Sequence, residues 1–87
     1  MEILYSQKAE KQLKKIFKSN RESALRIIKT IESYAENPSG SFNVKILKGK
    51  MASFKRLRVG DYRIMFDEED HILHIYHVSI DRRVTND

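Results

Sequence analysis

Arg56, Arg58 and Arg63 are the residues of this chain best suited to chemistry on an anion. Each guanidinium is a planar fork of donors with a permanent charge, and that fork matches phosphate. The three lie within FKRLRVGDYRIMF, residues 54–66, which reads as two strands joined at Gly60-Asp61. Successive strand side chains face opposite sides, so Phe54, Arg56 and Arg58 emerge together while Lys55, Leu57 and Val59 face the other way. In the second strand Tyr62, Ile64 and Phe66 share one face, and Arg63, Met65 and Asp67 share the other. Burying both apolar sets gathers Arg56, Arg58 and Arg63 on one exposed surface with Phe54 beside them. The bland alternative is solvated strand arginines, or arginines paired with the acidic run Asp67-Glu68-Glu69-Asp70. Convergence of three with an aromatic favours phosphate. Lys55 is expected near the sheet edge, its stem over the core and its amine reaching out to join the phosphate-binding set.

Charge along the chain supports an anionic partner. The 87 residues carry a net charge of +5 with a pI near 9.6, which favours nucleic acid or an acidic protein. Residues 45–63 hold seven basic side chains (Lys45, Lys48, Lys50, Lys55, Arg56, Arg58, Arg63) against one acid, Asp61. Segregated charge makes a patch more readily than mixed charge does. The chain has no cysteine, which excludes disulfides, thiol catalysis and cysteine metal sites and suits a reducing cytoplasm. No apolar run approaches the ~20 residues of a membrane span. The opening MEILYSQKAEK has too short an apolar stretch for a signal peptide.

The elements that must position the arginines follow from periodicity. Glu2 to Tyr5 reads as a short edge strand, and Ser6 as a helix cap. Ala9, Leu13, Ile16 and Phe17 form the stripe of an amphipathic helix whose other face carries Lys8, Lys11, Lys14, Lys15 and Lys18. Ser19-Asn20-Arg21-Glu22 matches a capping box and restarts a helix after a tight turn. Ala24, Ile28, Ile31 and Ala35 give the second stripe, which ends near Asn37 because Pro38 disfavours helix at the residue before it. Strands are expected over 42–47, 54–59, 62–67 and 71–80, with 48–53 a connection and 68–70 a turn. The result is one α+β domain over residues 1–87. In it an N-terminal helical hairpin packs on one face of a small, mainly antiparallel sheet in the order β-α-α-β-β-β-β, leaving the arginine face open.

Other candidates are weaker. His71, His74 and His77 invite a metal reading, but alternation turns His74 away from the other two, which lie about 20 Å apart by strand rise. No metal site and no cofactor are expected. Lys55 and His77, the latter nearest the basic C-terminal end, are the candidates for proton transfer, although a surface histidine is the commoner outcome for His77. The acidic run reads as a solvated turn that protects the sheet edge. The lysines of the first helix read as a solvated face.

The segment Leu47-Lys48-Gly49, followed by an aromatic-basic strand and Arg58-Val59-Gly60-Asp61-Tyr62-Arg63, resembles the RelE/ParE superfamily of toxins. The order of elements matches over nearly the whole chain. The resemblance implies the toxin of a type II toxin–antitoxin pair, with a cognate antitoxin encoded by a neighbouring gene. It further implies a ribosome-dependent endoribonuclease that cleaves mRNA and inhibits translation. The alternative within the superfamily is a gyrase-directed toxin without nuclease activity, or a decayed toxin that only holds its antitoxin. RNA supplies its own nucleophile, the 2′-hydroxyl, so fixed cations can do most of the work without a metal. The products are then a 2′,3′-cyclic phosphate and a 5′-hydroxyl. Arg63 is placed at the developing phosphorane, Arg56 and Arg58 along the strand, and Phe54 against a base. RNA-cleaving relatives often close with an apolar-x-His-Arg run and a tyrosine four residues beyond that arginine. Here Arg83 stands for the arginine, Arg82 where His or Lys is common, and Asp87 where the tyrosine would be. Arg83 would hold the phosphate or assist the leaving group, with Arg82 as a further phosphate contact.

Overall fold

The structure is a computed structural model and describes residues 1–47 and 54–80. Strand β1 (Glu2–Tyr5) leads into helices α1 (Gln7–Ser19) and α2 (Arg21–Glu36), followed by β2 (Val44–Ile46), β3 (Lys55–Val59), β4 (Tyr62–Glu69) and β5 (Ile72–Ile80). The strands form a five-stranded sheet in the order β1-β5-β4-β3-β2. All neighbours are antiparallel except β1, which runs parallel to β5. No helix among the described residues is long and apolar enough to cross a membrane.

Local chemistry sets the boundaries. The Ser6 hydroxyl accepts from the Ala9 amide at 3.0 Å and starts α1. Helix α2 is capped by Asn20, whose side chain accepts from the Ser23 amide at 3.2 Å. The Ser19 capping box expected from sequence therefore does not form. Asn20 is itself a strong cap and lies one residue closer to the first helical turn. At the tip of the β3–β4 hairpin Gly60 has φ +59°, a conformation glycine adopts without steric cost. Asp70 (φ 54°) and His71 (φ 63°) are both left-handed, the pairing of a type I′ turn whose twist suits adjoining strands. Aspartate and histidine enter that region more readily than most residues.

That second turn corrects the reading of the acidic run. Strand β4 continues through Glu69, and the turn is Asp70-His71. Glu68 and Glu69, expected in the turn, are therefore strand residues, and Glu68 lies on the face opposite Asp67. Glu68 points towards the helices. There the Tyr34 hydroxyl donates to its carboxylate and the Lys55 ammonium lies 3.1 Å away. Burial, and then the hydrogen bond to Glu68, push the Tyr34 phenol well above its usual range, so it stays protonated as the donor.

The core lies between the hairpin of helices and one face of the sheet. Ala9, Leu13, Ile27, Ile31, Tyr34 and Ala35 meet Leu57, Val59, Ile64, Phe66, Leu73, Ile75 and Val78. Phe66 is 1% exposed and meets the Tyr34 ring edge-on at 5.2 Å. Burying a side chain of that size contributes about 1.5–3 kcal/mol. The helices cover only this face, so side chains on the other face meet no second layer of the described fold.

Candidate anion-binding face

Register decides what shares the open face, because directly paired strand residues point the same way. Arg58 pairs with Arg63, and Arg56 with Met65. Across the next strand Arg63 pairs with Ser79, Met65 with His77, and Asp67 with His74. Two rows result: Arg58-Arg63-Ser79, and beside it Arg56-Met65-His77. Like charges directly opposed across strands cost stability unless other groups offset them.

The polar atoms of these rows suit an anion. The Nε atoms of Arg56 and Arg63 and the Ser79 hydroxyl are buried and have no hydrogen-bond partner among the described residues. Buried polar groups are almost always satisfied, so each orphan requires an explanation. Phosphate oxygens along the face would accept from these donors. Arg58 is engaged locally, its Nε–H donating to the Gly60 carbonyl at 3.3 Å.

A β-bulge supplies what alternation hides. Met65 pairs with His77 but Phe66 pairs with Ile75, so Tyr76 is an extra residue on β5. The bulge turns His77 onto the same face as His74, against the expectation from strict alternation. His74 is held by Asp67, Nδ1 to Oδ1 at 2.9 Å. Among the described residues no three metal-ligating side chains converge. Burial, then the charges of Lys8 on α1 and Arg63 on β4, lower the His77 pKa below its ordinary 6.5. Its imidazole is therefore neutral at physiological pH and able to accept a proton. Lys8, read from sequence as part of a solvated helix face, thus contributes to the field at the site.

Tyr76 lies two residues beyond His74 and shares its face by simple alternation. Its ring meets Phe54 edge-on at 5.2 Å and its hydroxyl donates to Asp67 Oδ2 at 3.2 Å. Sequence reasoning missed Tyr76 and Ser79; alternation from His74 reaches Tyr76, whereas Ser79 follows only once β5 is aligned on β4 with the bulge in place.

Lys55 is the one described candidate that the structure separates from the rest. It pairs with Phe66 on β4, which puts it on the helical side, where Glu68 holds its ammonium. The edge position expected from sequence left its reach free, but a carboxylate on the neighbouring strand takes it inward. Replacing Lys55 with methionine should change affinity for a short RNA by less than about two-fold, measured by fluorescence anisotropy, since a half-exposed ion pair contributes little and the lost amine is not on the anion face. Arg82 and Arg83 lie outside the described residues, as do Lys48 and Gly49.

The fold matches known toxins. A family model described as the ParE toxin of type II toxin–antitoxin systems matches residues 3–84. The chain belongs to the ParE toxin family, within the RelE/ParE superfamily. A YoeB/ParE toxin from Agrobacterium tumefaciens superposes with a TM-score of 0.78 at 14% identity, covering 92% of this chain and 98% of that one. The YoeB–YefM complex from Staphylococcus aureus gives 0.76 at 18% identity, over 91% and 94% of the two chains. The RelBE2 toxin–antitoxin complex from Mycobacterium tuberculosis gives 0.75 at 17%, over 91% and 95%. Among curated protein sequences none matches this ParE-family toxin. At these identities the structural likeness establishes the shared fold, two helices on a mostly antiparallel five-stranded sheet.

Proposed function

We propose that this toxin cleaves mRNA on the ribosome and thereby inhibits translation. The observation that carries the reading is the pair of orphaned arginine Nε atoms, Arg56 and Arg63, beside the orphaned Ser79 hydroxyl. Donors fixed in a partly dehydrated surface need no reorganisation when negative charge develops, and that is where electrostatic catalysis is strongest. In the proposed reaction the 2′-oxygen bonds to phosphorus and the bond to the 5′-oxygen breaks. His77 takes the proton from the 2′-hydroxyl. Arg63 and Ser79 stabilise the phosphorane oxygens, and Arg56 holds the neighbouring phosphate. The 5′-oxygen takes its proton from solvent or from a group of the Arg82-Arg83 segment. The products are a 2′,3′-cyclic phosphate and a 5′-hydroxyl.

The partner is a small acidic or amphipathic antitoxin. Two structurally similar toxins were determined as complexes, YoeB–YefM and RelBE2. A partly disordered chain that folds on this toxin can lay carboxylates on the same arginines and exclude phosphate. Beside α1, a groove lined by Gln12, Ile16, Tyr62 and Ile80 offers it an apolar seat.

Cleavage of a translated mRNA in a reconstituted extract, mapped by primer extension, tests the activity. Discrete cuts ending in cyclic phosphate are expected. Intact mRNA, together with loss of gyrase supercoiling activity on adding the toxin, would replace this reading with the gyrase-directed one.

The role of His77 has a pH signature. Only its neutral form accepts a proton, so cleavage should rise with pH, level off above a pKa that lies below 6.5, and lose this break in His77→Gln. The sign for stability is the same. A depressed folded-state pKa contributes stability that is present above pH 6.5 and lost as pH falls through the folded value. Urea melts should therefore show wild type losing stability relative to His77→Gln between neutral and acid pH.

A further inference from the structure

We infer that the end of the open face occupied by Tyr76, Phe54 and Asp67 is a nucleobase-stacking subsite, which gives the toxin its preference among RNA sequences. This inference rests on the RNA-cleaving reading above. Tyr76 is 37% exposed, yet it is not loosely held. Phe54 packs against its ring at 5.2 Å, and its hydroxyl is tied to Asp67 at 3.2 Å. The other Asp67 oxygen is held by His74 at 2.9 Å, whose ring lies 5.9 Å from that of Tyr76. Burial, then the Asp67 hydrogen bond, raise the Tyr76 pKa, so the phenol remains the donor that keeps this anchor.

None of these groups packs against the core between helices and sheet. An aromatic wall fixed at ring and hydroxyl, on a face that no helix covers, is built to receive a flat group. Its neighbours say which kind. Tyr76 is followed by His77, and Phe54 is two residues from Arg56 on the same face, so an anion-binding row borders the wall. A nucleotide joins a planar base to a phosphate over that span, whereas an apolar peptide side chain would leave the buried donors of Arg56 and Arg63 unanswered. Stacking on aromatics is tolerant of base identity but stronger for larger bases, so a purine is favoured.

The test uses the full chain and a 2′-O-methyl pentanucleotide, which binds but lacks the nucleophile, carrying 2-aminopurine at each position in turn. Strong quenching at one position is expected. Tyr76→Ala should abolish it and weaken binding about ten-fold, with an unchanged circular dichroism melt. Tyr76→Phe keeps the ring but loses the Asp67 anchor, and should retain most of the affinity with partial quenching. Salt-dependent binding without quenching at any position, or quenching that survives Tyr76→Ala, overturns the subsite and leaves the phosphate-binding face standing. No binding by the wild type at low salt sinks the phosphate reading itself and the subsite with it. In translated mRNA, Tyr76→Ala should spread cleavage over more sites; an unchanged cut map at reduced rate also overturns the proposal.

Discussion

Arg63→Ala should lower mRNA cleavage by roughly 10²-fold or more, the loss that follows removal of one donor aimed at transition-state charge. Arg63→Lys should recover only part of it, because a point charge replaces a fork whose buried Nε–H is one of the orphaned donors. Stability should move the other way. Arg63 directly opposes Arg58, and like-charged cross-strand pairs are unfavourable by about 0.2–1 kcal/mol. Arg63→Gln, which keeps most of the stem over the sheet, is therefore expected to melt at the same temperature as wild type or a little higher while remaining inactive. A variant that loses activity only in step with lost folding would show that Arg63 is structural. Arg83→Ala should have a similar or milder effect on cleavage. The measurement is single-turnover cleavage beside a thermal melt of the same preparation.

The largest effect on stability is expected at Phe66→Ala. Phe66 is 1% exposed, lies on the central strand β4 and meets Tyr34 edge-on. Large aromatic-to-alanine truncations in cores cost about 3–5 kcal/mol, because the lost transfer energy adds to an unfilled cavity. Domains of this kind have a total stability of about 5–15 kcal/mol. A drop in melting temperature on the order of 15 °C or more should follow in calorimetry. A drop of only a few degrees would mean that the helices close the cavity.

The parts of the fold legible in the sequence are those governed by local periodicity. The Ala9-Leu13-Ile16 stripe, the Ser6 cap, the Gly60 turn and the alternation around Arg56 and Arg58 each follow from residues close together in the chain. What could not be read depends on pairing between distant segments. The bulge at Tyr76 arises from how β5 aligns with β4, and no single strand carries its signature. It reverses the facing predicted for His77 relative to His74 and brings Ser79 onto the site. The destination of Lys55 was hidden for the same reason, since Glu68 meets it only once β3 and β4 are paired. The acidic run was misread because Asp70 and His71 can turn the chain alone, without glycine, so two acids assigned to the turn remained in the strand.

The parallel pairing of β1 with β5 has a consequence in time. Tyr5 waits for Ile75, and the Ser6 hydroxyl that caps α1 donates to the carbonyl of Tyr76, 70 residues away, at 2.9 Å. A ribosome adds about 5–20 residues per second, so for about a second the helices and the β3–β4 hairpin have been made while the strand that completes the sheet has not. Tyr76, His77 and Ser79 all arrive on that strand. On the function proposed here, the ribosome that builds this toxin is exposed to it only after β5 has been made.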